Sequence, residues 1–150
     1  VKKYQLELNE NQLRVIEEAL EVFSRLGTKQ YGMVADHIIK EDGDVLSWDE
    51  REKINRYIRE IEGFRMPPNA SYGIHSKEIS DRYRVAFDLL QVARHRRSWA
   101  NAEHPESERS EHFGKYMGVN YDKPMKTGAE LLAVCEVCEV VEVVEAGENQ

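Results

Sequence analysis

Long apolar runs are missing from this chain: no stretch approaches the roughly 20 residues that a membrane-crossing helix requires. Cysteine is nearly missing too. The only two, Cys135 and Cys138, are close neighbours, which excludes a disulfide framework. A structural zinc ion wants four ligands, and this Cys-x-x-Cys has no second copy, with only His104 and His112 as distant candidates. The pair reads as small apolar residues of a repeating tail. There is no glycine-rich phosphate loop, because Gly114-Lys115 lacks both the loop glycines and the following Ser or Thr. No Gly-x-Ser-x-Gly elbow occurs either. Positive charge is the minority sign, with 21 Lys and Arg against 28 Asp and Glu and a formal net charge of -7. A general duplex-DNA binder needs a broad basic surface, so duplex nucleic acid is not an expected partner. The opening VKKYQLELNE lacks the apolar core of a secretory signal, so an intracellular setting is the default.

What is present is an ordinary globular composition, 41% hydrophobic and 33% charged over 150 residues, which suits one domain with its own core. Lys3 to Leu8 alternates, with Tyr4, Leu6 and Leu8 on one side, and predicts a half-buried strand. Asn9 with Gln12 forms a partial capping box for a helix whose stripe is Leu13, Ile16, Leu20 and Phe23, ending at Gly27. A shorter helix restarts at Thr28 and runs through Tyr31, Val34, Ala35, Ile38 and Ile39 to the Asp42-Gly43-Asp44 turn. Ser47-Trp48-Asp49-Glu50 is a second capping box; Ile54, Tyr57, Ile58 and Ile61 form the expected buried side of its helix, and Gly63 stops it. Pro67 and Pro68 keep the stretch from Phe64 to Ser76 as loop. A long amphipathic helix then spans Ser80 to Trp99. The polar stretch from His104 to Gly118 reads as loop, and Val119 to Pro124 as a short edge strand. The expected fold is α+β and mainly helical: a few short antiparallel strands packed with long amphipathic helices. Residues 1–128 make a single domain. Residues 129–150 make a valine/glutamate triplet tail, an edge strand or a segment that orders against another subunit.

The Ser80 helix carries the chemistry. Beside its apolar face (Val85, Ala86, Leu89, Leu90, Val92, Ala93) runs a stripe of Tyr83, Phe87, Gln91 and Arg94. Flat rings suit a base, arginines suit phosphate and an amide suits directed hydrogen bonds. Arg97 extends the cationic end, and Asp88 suits ribose hydroxyls. The plainer reading is that the rings are core and the arginines complement the helix C-terminus. A second pattern is Glu17-Glu18-x-x-Glu21 followed by Glu41-x-x-Asp44, which resembles the magnesium motif of all-α NTP pyrophosphatases. Against it, Asp42-Gly43-Asp44 sits where a helix ends, and the first three glutamates fall opposite Leu13, Ile16, Leu20 and Phe23, where a solvated face is expected.

The order of elements, with NENQLRVIEEALEVFSRLGTKQ, GIHSKEISDRYRVAFDLLQVARHRRSW and VNYDKPM, resembles small bacteriophage proteins of the Thoeris anti-defence type, sponges for TIR-derived signals. The similarity extends to about Pro124 and leaves out the tail. It implies a non-enzymatic homo-oligomer, in the cytoplasm of an infected bacterial host, that sequesters a cyclic ADP-ribose isomer or a related cyclic oligonucleotide. It implies no cofactor, metal or catalytic residue. The ligand set expected from the helix is Tyr83, Phe87, Asp88, Gln91, Arg94 and Arg97, joined by Arg25 and by Asn120 and Tyr121. The alternatives are a Mg²⁺-dependent pyrophosphatase and a phage structural or interaction module.

Overall fold

The computed structural model describes residues 2–67, 69–100 and 123–136. Four helices follow in order: α1 (Glu10–Gly27), α2 (Tyr31–Ala35), α3 (Trp48–Glu62) and α4 (Asp81–Ala100). Both expected capping boxes form. Asn9 and Gln12 exchange two 2.9 Å hydrogen bonds at the start of α1, and Ser47 and Glu50 do the same for α3. Each exchange satisfies amide donors that a helix start leaves unpaired. Gly63 ends α3 in the left-handed conformation, with φ of 74°.

The helices α1 and α4 run antiparallel, as the pairing of Glu17 with Arg97, Glu21 with Arg94 and Gly27 with Tyr83 requires. Gly27 is there for proximity and not for its backbone angle. A Cβ on it would stand 2.3 Å from Cγ of Tyr83. The left-handed turn falls instead on Lys29, with φ of 64°, and leads the chain from α1 into α2. The short α2 packs on both α1 and α3.

The core is small. Its buried apolar members are Tyr31, Ala35, Leu46, Ile79, Ala86, Leu90, Ala93 and Trp99, several of them alanines. Polar groups share the interior: Glu17, Ser24, Thr28, Asn55, Arg59, Asp88 and Gln91 are all buried.

Three expectations are corrected. The molecule is mainly helical, but the short strands are not formed among the described residues; the one bridge joins Ile39 to Val45 across the 41–44 turn. Lys3 to Leu8 is exposed and takes no strand, because no neighbouring strand offers a ladder. On α3 the buried side is Asn55 and Arg59, while Tyr57 and Ile61 face outward. The second helix stops at Ala35 and leaves Ile38 and Ile39 exposed. The 104–118 loop, the strand from 119 as far as 122, Cys138 and most of the tail lie outside the described residues. No described helix is long and apolar enough to cross a membrane.

Candidate functional site

Arg94 and Arg97 lie on the face of α4 turned toward α1, and both are occupied there. Arg97 donates to Glu17 through Nε at 2.9 Å and Nη2 at 2.7 Å, a two-pronged ion pair. Arg94 pairs with Glu21, which Arg25 also approaches at 3.4 Å. Burial alone would raise the Glu21 pKa, but the charges and hydrogen bonds of Arg94 and Arg25 outweigh it and hold the carboxyl below its usual value. Glu17 is only 3% exposed. The expected solvated face of α1 is therefore an ionic seam, because the arginines of α4 fall in register with glutamates one turn apart.

The other stripe residues are tied inward as well. Asp88 accepts from the Thr127 amide at 2.9 Å, the Thr127 hydroxyl at 2.6 Å and the Gly128 amide at 2.8 Å, strapping that segment across α4. Gln91 accepts weakly from the Met125 amide at 3.5 Å, and its Nε2 is buried with no hydrogen-bond partner among the described residues. Tyr83 packs on Phe23 with ring centroids 4.9 Å apart, and the Arg82 guanidinium lies 4.8 Å from the Phe23 centroid. Phe87 is half-buried. Asn120 and Tyr121 lie outside the described residues. Arg25 and the six α4 candidates thus gather along one helix pair, but none of them lines either of the two best-formed cavities.

The concave polar site lies on the other side, between α2, α3 and the 69–71 loop. It measures about 400 Å³, within the usual range for small-molecule pockets. Arg59 builds its base. Buried on α3, its guanidinium donates to Asn55 Oδ1 at 2.9 Å, to the Pro67 carbonyl at 3.1 Å, to the Lys29 carbonyl at 3.3 Å and to the Ala70 carbonyl, with the Phe64 ring 4.7 Å away. One side chain so holds two loops to a helix. Tyr72 adds a 2.9 Å backbone bond to Thr28.

Around this frame stand the other side chains that line the cavity. Trp48, at the first position of α3, is 73% exposed. Arg51, one turn on, pairs with Asp36 at 2.6 Å and donates to the Leu46 carbonyl at 3.1 Å. Lys29 pairs with Glu62, and Glu62 also accepts from the buried Tyr31 hydroxyl; burial raises the pKa of that phenol. Gln30, Asn69 and Ser71 contribute amide and hydroxyl groups. A flat ring, three cations, two carboxylates and several neutral polar groups line this one cavity. The one sequence signal was Trp48-x-x-Arg51, a large apolar residue inside a capping box with a cation on the same face.

Among the described residues no cluster of three or more His, Cys, Asp or Glu can hold a metal ion. Glu17 and Glu21 are committed to arginines, and Glu41 and Asp44 lie in the turn around Gly43. Compared with family models, with curated proteins and with solved structures, the chain matches none.

Proposed function

We propose that the protein is a non-catalytic binder that sequesters a small cyclic nucleotide of the cyclic ADP-ribose type, as a homo-oligomeric phage counter-defence protein in the host cytoplasm. The observation that carries this reading is the α2–α3 cavity, lined together by the exposed Trp48, by the ion-paired Arg51 and Lys29, and by the amides of Gln30, Asn55 and Asn69. Such a ligand presents a purine face, a pyrophosphate and ribose hydroxyls. Trp48 suits the first, Arg51 and Lys29 the second, and Asp36 and Glu52 the third. Sequestration asks for affinity and no nucleophile, and the sequence resemblance points the same way. The pyrophosphatase reading has less support, since its first carboxylate group is spent on the α1–α4 seam.

The test is retention and release. The protein is incubated with a cyclic ADP-ribose isomer, stripped of free ligand and denatured by heat. The expected result is unchanged ligand in the supernatant and a raised melting temperature before release. Trp48→Ala should weaken retention by about 10-fold or more, the effect of losing one base-stacking contact. A chemically altered product makes the protein an enzyme. No stabilisation at saturating ligand removes the nucleotide altogether and leaves an interaction module.

A further inference from the structure

Among the described residues, two exposed apolar surfaces match each other. The first is the exposed segment before α1. Tyr4 is 91% and Leu6 72% exposed, and Leu8 continues the same side. The second is the side of α1 turned away from α4. There Val15, Ala19, Val22 and Leu26, with Phe23 beneath, line an open groove of about 460 Å³. Val15 is itself 66% exposed.

We propose that the two meet in trans: the Tyr4–Leu8 segment of one copy lies in the α1 groove of a second copy, and the exchange is reciprocal about a two-fold axis.

Length supports this. Tyr4 to Leu8 spans about 13 Å as extended chain, and Val15 to Leu26 rises about 16 Å along the helix. Side chains on one side of the segment repeat at about 6.7 Å, close to the roughly 6 Å between groove positions four residues apart. Charge supports it too. Lys2 and Lys3 precede the segment, and Glu18 stands exposed at the groove.

The segment is kept from its own groove by the cap. Asn9 and Gln12 hold each other through two 2.9 Å bonds, with Asn9 extended at ψ of 169°, so the chain enters α1 from beyond its end and does not double back along it. Reciprocal docking closes the assembly at two copies. The inference does not depend on the ligand.

The test is sedimentation equilibrium of the whole chain across a concentration series. Wild type should be a dimer. Leu6→Asp and Ala19→Arg, both at surface positions, should each weaken it by about 100-fold, since each contact is made twice. Their helical circular dichroism should be unchanged. Lys3→Glu should weaken the dimer, and Glu18→Lys added to it should restore the association. A wild-type monomer at about 100 µM, or a dimer equally tight in both apolar-surface variants, overturns the proposal. So does a monomer that Leu6→Asp destabilises, because the segment would then be packed on its own chain. Nucleotide retention by the monomeric Leu6→Asp protein reads the ligand site separately.

Discussion

Glu17 is a carboxylate in an almost sealed position, and both its oxygens accept from one guanidinium. Removing one partner strands the other. Glu17→Gln or Arg97→Met should each destabilise the fold by about 3 kcal/mol in urea unfolding. The double change Glu17→Leu with Arg97→Met should recover most of that loss, because a well-packed apolar pair avoids the desolvation of two charges. Nothing in the local pattern showed this. Glu17 belongs to a run of glutamates opposite an apolar stripe, and such runs usually meet water. Its partner lies 80 residues further along, and periodicity within one helix holds no information about the helix that will face it. Trp48 failed to stand out for the opposite reason. A large ring at the start of a helix reads as core, and only the folded chain shows it exposed beside Arg51.

Helix boundaries were the legible part. Asn9, Ser47 and Gly63 mark ends through hydrogen bonds and backbone angles that depend on neighbours within four residues. Which side of each helix faces inward was less legible. On α3 Ile54 and Ile58 stay half-buried, but Tyr57 and Ile61 face outward and Arg59 takes the interior, where its five-donor head anchors carbonyls of two loops. Such a group outranks one more aliphatic contact, since loops carry backbone acceptors that need partners. Gly27 combines both lessons. It was read as a helix stop, and the helix does stop there, but its missing side chain makes room for Tyr83. Gly27→Ala should therefore destabilise the α1–α4 pair by about 1–3 kcal/mol in thermal unfolding. In a Tyr83→Ala background the same change should be close to neutral. Gly32→Ala, at a helical position with open space around it, should be neutral or slightly stabilising.

At the scale of the whole molecule the seam between α1 and α4 sets the response to acid. Glu21 has a folded pKa below its ordinary value of 4.5, so its contribution to stability is complete above that value. It is lost as the pH falls through the lower folded value. Glu50, drawn down to about 2 by Lys40 and by the Ser47 cap, persists further into the acid range. Melting temperature should accordingly drop as the pH is taken from about 5 to 3, and Glu21→Gln should flatten the curve over that interval. Where the chain leaves α4 and where it returns are also fixed. Trp99 is buried near the end of the helix, and Asp88 grips Thr127 and Gly128 nearly three turns before it. One carboxylate thereby fastens a segment 40 residues further along the chain, so Asp88→Ala should release Thr127 and Gly128 from α4.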